Sequence, residues 1–190
     1  IPADIPAELA NRLVDYYIES LTRSPSLHDK VEFEIVLSCY SFDLNDRLEG
    51  LRKHGFTEAD CQLLTKSLNR LTNRIIHRDT GLWRKDSERI DTLTQRHATI
   101  MNADMDTVSR IYWLLEDCKR YGTLPFAGLA RAGFIAVQIL RSLVSHGVLS
   151  EADRSAFMNG LDTISTAMGH DLASLDREAF LRKYGHLRPG

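Results

Sequence analysis

Proline is scarce in this chain, and that constrains its fold more than any other feature. Five prolines occur in 190 residues, at positions 2, 6, 25, 125 and 189, so residues 26–124 contain none. Proline lacks a backbone donor and collides with the preceding helical turn, so it marks helix boundaries, and its absence leaves long spans free to be helical. Apolar residues recur within those spans at three- and four-residue intervals, the helical period. Asp4 and Pro6 suit the start of a first helix with the stripe Leu9, Leu13, Tyr16, Tyr17 and Leu21, and Ser24-Pro25 suits its end. Thr57, Asp60 and Phe56 form a start signal ahead of Leu64, Leu68, Leu71 and Ile75. A helix from about Asp86 uses Ile90, Leu93, His97 and Met101. The next, over 104–120, uses Val108, Ile111, Leu115 and Cys118, with Gly122 as terminator and Thr123-Leu124-Pro125 as a break. Phe126 opens the most apolar helix, which ends at Gly147. Ser150 and Asp153 cap a helix through Phe157, Leu161 and Ile164, and Ser174 caps the last one, stopped by Gly185. The expected fold is mainly α, a bundle of about seven or eight helices.

Residues 30–40, KVEFEIVLSCY, fit two patterns. Val31, Phe33, Ile35, Leu37 and Cys39 alternate as in a single strand, which their β-branched and aromatic content favours slightly. Leu27, Val31 and Ile35 have helical spacing, and no partner strand is evident, which favours helix if the chain is self-contained. On a strand, Glu32 and Glu34 share one face and with Asp29 could hold a magnesium ion, although a solvated face is the simpler reading. Two regions follow: 1–44, read as the first helices of the bundle, and 45–190, a helical domain.

Composition excludes several classes. Hydrophobic residues make up 43% and charged residues 26%, which are globular values. A formal net charge of −2 and the lack of a basic face argue against nucleic acid as a partner. The apolar run 124–140 is interrupted by Arg131 and Gln138, so no membrane span is expected. Cys39, Cys61 and Cys118 are odd in number and far apart, which suits free thiols in a reducing cytoplasm.

Two places offer chemistry. On the 126–146 helix, Arg131, Gln138, Ser142 and Ser145 fall within about 60° of one another, with Arg141 at the edge. Arginines there suit a phosphate or carboxylate, and the plain alternative is a wet edge or pairing with internal acids. The tail YGHLRPG sets His186 and Arg188 beside glycines, an arrangement that suits a small anionic substrate, against the plain alternative of a helix stop and a tail. Arg74, His77 and Arg78 cluster at a helix end, where cations complement the dipole. No glycine-rich phosphate loop, nucleophile elbow or metal-spaced histidine pair is present.

GTLPFAGLARAGFIAVQILRSLV (122–144) together with FLRKYGHLRPG (180–190) resembles the helical middle region of phosphoenolpyruvate synthase-like proteins, relatives of pyruvate phosphate dikinase and rifampin phosphotransferase. The helix over 4–23, a short linker and HDKVEFEIV (28–36) resemble the last part of an ATP-grasp nucleotide-binding domain, with one residue more than the family's Asp-x-Glu spacing, so the resemblance implies that 1–44 is the end of such a region. In the family the tail motif reads on as Thr-Tyr-Asp, so the resemblance implies that Gly190 lies inside a longer chain. It implies a domain that is not catalytic alone and carries no cofactor itself. The parent kinase-type phosphotransferase would use ATP and magnesium, with flanking ATP-grasp and phosphohistidine domains as partners in the same chain. Arg131, Arg141, His186 and Arg188 would face an anionic acceptor, and Glu32 would lie near the metal. A non-enzymatic helical interaction domain of a scaffold or regulator is the alternative.

Overall fold

The computed structural model describes residues 1–187. Nine α-helices are present among them: α1 (Ala7–Arg23), α2 (Leu44–Lys53), α3 (Glu58–Ile76), α4 (Leu82–Asn102), α5 (Thr107–Asp117), α6 (Leu124–Ser145), α7 (Glu151–Asn159), α8 (Ile164–Ser174) and α9 (Arg177–Tyr184). The described residues contain no strand. The chain divides into two units, Ile1–Val148 and Leu149–Gly190.

In the first unit, α1, α2 and α3 enclose the main core. Leu9, Leu13 and Tyr17 meet Leu44, Leu48 and Leu51, and both sets meet Cys61, Leu64 and Leu68. Each fully buried leucine contributes about 1.5–3 kcal/mol. The box that opens α3 is formed: the Thr57 side chain accepts from the Asp60 N–H at 3.1 Å, and Asp60 accepts from the Thr57 N–H at 2.9 Å. At α1 the expected cap fails. Pro6 takes the N-cap position, and Asp4 instead accepts two bonds from Arg70, at 3.0 and 2.6 Å.

The segment read above as strand or helix is not a strand. Pro25–Lys30 forms 3₁₀ turns and Val31–Ile35 a π-helical turn, closed by the Val36 N–H on the Val31 carbonyl at 2.9 Å. Side chains replace the missing sheet partner. Arg47 donates to the carbonyls of Phe33 and Val36 at 3.1 and 3.2 Å, and Gln138 donates to that of Phe33 at 3.0 Å. The Leu37 N–H donates to the Tyr17 hydroxyl at 3.3 Å, and the Tyr40 N–H to Thr72 at 2.8 Å. Burial pushes the Tyr17 hydroxyl up to about 12.

The expected break at 122–125 is also absent. Cys118–Thr123 forms π-helical turns that join α5 to α6 in one continuous helix, Thr107–Ser145. Pro125 cannot donate to the fourth carbonyl before it and would crowd that turn of a regular helix. The π turn widens the spiral there, and the Leu124 N–H reaches back five residues to Lys119. The long helix runs antiparallel to α4, which it meets on both sides of the π turn. Buried Asp117 accepts from Arg96 across this pair at 2.8 Å. A Cβ on Gly128 would lie 2.0 Å from an Asp86 carboxylate oxygen, so any larger residue there would require the Asp86 side chain to move.

By length and composition alone the continuous helix is long enough and apolar enough to cross a membrane, with 17% of its most apolar stretch buried. An apolar composition nearly all round suggests a largely buried helix, but α6 is mostly not buried. Pro125, Ile135, Gln138 and Ser142 are buried in α6, whereas Phe126, Gly133 and Ala136 are exposed.

In the second unit, Ser150 and Asp153 form the expected capping box. The continuation through Ile164 is broken at 160–163, where Thr163 caps α8, and Asp176 rather than Ser174 caps α9. Asp171 on α8 accepts from Lys183 and from the Tyr184 hydroxyl, both at 2.6 Å, and these bonds hold its carboxyl below the usual range.

Candidate functional site

The face of α6 that carries Arg131 turns toward the π-helical segment, and between them lies a cavity of about 490 Å³. Its wall is mostly apolar: Val36, Leu71, Phe126, Ala127, Ala130, Phe134 and Ile135, with Ile1 also on the lining. Arg131, Glu32 and Ser38 are its polar side chains, and the Ile1 α-amino group lies near enough to Arg131 that burial and then that like charge lower its pKa. Ser38 is occupied, donating to the Glu32 carbonyl at 3.1 Å. Arg131 and the Glu32 carboxylate make no hydrogen bond or ion pair among the described residues, with each other or with any other group. The lining holds no histidine or cysteine; the side chains on it that could meet a charged ligand are Arg131 and Glu32.

Arg131 also borders a smaller cavity of about 260 Å³ with Asp86 and Arg89, which pair at 3.3 Å. Spacing alone did not single out this pair. The signal was present in the three-residue offset of Asp86 and Arg89, which puts them on one helix face. A further cavity, lined by Asp4, Ser67, Arg70 and Arg74, was also missed. Its Arg70 is already satisfied by Asp4 and Ser67.

Within the first unit, Arg141 does not join Arg131. Arg141 lies ten residues further along α6, about 15 Å away by helical rise. It pairs with Glu34 at 3.6 Å and sits over the Phe33 ring at 5.2 Å, so the internal-pairing reading holds for it. Gln138 and Ser142 of the same stripe are buried and bonded to the Phe33 and Ile139 carbonyls. His186 is exposed in the turn after α9, within the second unit. Arg188 lies outside the described residues. At the end of α3, His77 Nδ1 accepts from the N–H groups of Asp79 and Thr80 at 3.2 Å, which makes it part of a helix stop.

The three-carboxylate metal site is not assembled. The strand that would have put Glu32 and Glu34 on one face is a π turn, in which residues two apart point to nearly opposite sides. Glu34 goes to Arg141, and Asp29 contacts His28 at 2.7 Å. Among the described residues, no group of three or more His, Cys, Asp or Glu is placed to hold a metal ion.

Comparison with protein-family models, with curated proteins and with solved structures finds no match for this chain.

Proposed function

We propose that this chain is the connecting and acceptor-facing helical domain of a larger phosphoenolpyruvate synthase-like phosphotransferase of the cytoplasm, silent as a catalyst on its own. The carrying observation is Arg131, a guanidinium without a partner on the edge of a largely apolar cavity. Such a group binds carboxylate or phosphate by parallel hydrogen bonds. The resemblance of 122–144 and 180–190 supplies the rest of the reading: ATP and magnesium handled by flanking domains, and His186 and Arg188 contributing to the acceptor site. The test is thermal stability with phosphate, pyruvate and phosphoenolpyruvate. A ligand at 100 times its dissociation constant stabilises by about 2.7 kcal/mol. Arg131→Gln should abolish the shift, and Arg141→Gln should leave it. In a full-length protein, Arg188→Ala should lower phosphotransfer with folding intact, and wild-type turnover would remove Arg188 from the site.

A specific observation favours the second reading, a helical interaction domain. On α5, Val108, Ile111, Tyr112 and Leu115 form one apolar face and are 53–76% exposed. A protein partner on that face, with no dependence on small anions, is the outcome that would decide for it.

A further inference from the structure

We propose that the cavity between Glu32 and Arg131 binds an apolar α-amino acid. This rests on the reading of Arg131 as a ligand-binding group and adds the class of ligand. Glu32 and Arg131 line one cavity, with the Ile1 α-amino group also on its wall and its charged form disfavoured by burial and by Arg131, yet the two side chains are more than 4.0 Å apart and unpaired among the described residues. Neighbouring charges that can pair do so: Glu34 with Arg141, and Asp86 with Arg89. A plain carboxylate on Arg131 would sit near the like charge of Glu32, and a plain amine on Glu32 would sit near Arg131. A molecule with both groups satisfies both walls, its carboxylate on the guanidinium and its ammonium on the carboxylate.

The rest of the wall specifies the body of the ligand. Val36, Leu71, Phe126 and Phe134 are apolar, and Ser38, the neutral polar group, already spends its proton on the Glu32 carbonyl. A side chain such as that of leucine or phenylalanine would lose water against these residues, whereas a polar one would find no partner. A volume of about 490 Å³ falls inside the range of small-molecule sites.

The experiment is calorimetric titration of the protein with L-phenylalanine, 3-phenylpropanoate and 2-phenylethylamine, which share one apolar body and differ in charge. L-phenylalanine should bind about fivefold tighter than either of the others, the worth of one part-exposed ion pair. Glu32→Gln should erase its advantage over 3-phenylpropanoate, and Arg131→Gln should erase its advantage over 2-phenylethylamine. Both side chains are exposed, so the variants keep the fold. Equal binding of 3-phenylpropanoate and L-phenylalanine overturns the amino-acid inference and leaves the anion site standing. No binding of any of the three at about 10 mM, weaker than the millimolar range of small-ligand sites, overturns the amino-acid inference, and the Arg131 reading falls only if phosphate, pyruvate and phosphoenolpyruvate also give no thermal shift.

Discussion

Single residues in this protein differ sharply in what they hold. Asp117 is buried between α4 and the long helix and accepts from Arg96. Asp117→Ala should cost about 2 kcal/mol in urea unfolding, the range for a hydrogen bond to a charged group. Arg131, exposed and unpaired, should change stability by less than about 0.5 kcal/mol when replaced by Gln. That contrast separates a binding residue from a structural one. Asp60 adds a pH signature. The Thr57 N–H, then Thr57's hydroxyl and Arg12, hold its folded pKa below the usual value. A depressed pKa gives stability that is present above the unfolded value of about 4 and is lost as pH falls through the folded value. Asp60→Ala should therefore cost about 1 kcal/mol at pH 7, with the deficit shrinking below about pH 4. A deficit that is flat with pH would mean that the cap, and not the charge, carries the effect.

At the scale of elements, helix starts were the most legible part of the sequence. Thr57 with Asp60 and Ser150 with Asp153 are local signals, complete within four residues, and both boxes form. What misled was any signal whose meaning depends on distant groups. The alternation in 31–39 reads as a strand until Arg47, Gln138, Tyr17 and Thr72 are seen to take up the backbone groups a sheet would have used. Pro125 reads as a break until the π turn before it makes room. Of the site, Arg131 and Glu32 were visible as residue types, but their shared cavity was not, because α6 and the π turn lie about a hundred residues apart. If side chains hold the 31–36 turn, Arg47→Met should cost more than Gln138→Ala, about 2–3 against about 1 kcal/mol. The check is chemical denaturation of both variants with hydrogen exchange at Val36 and Leu37. Unchanged exchange in Arg47→Met would show that the turn holds itself.

For the molecule as a whole, the two units differ in how much they bury. The first has a twelve-residue cluster around α1, α2 and α3. The second has Tyr184 as its one buried residue among those described, while Phe157, Ile164, Leu172 and Leu181 are each more than half exposed. A chain of about 40 residues with so little core does not fold alone. A peptide of residues 149–190 should therefore show little helix by circular dichroism, and residues 1–148 should unfold cooperatively. A cooperative transition in the peptide would refute this division of stability. The uninterrupted Thr107–Ser145 helix has a mechanical consequence. Thirty-nine residues at the helical rise span about 58 Å, so a load applied near Val108 is delivered near Ser142 without crossing a loop. Regular turns resist bending, and the wide turn at Cys118–Thr123, where backbone bonds reach further, is where this strut yields first.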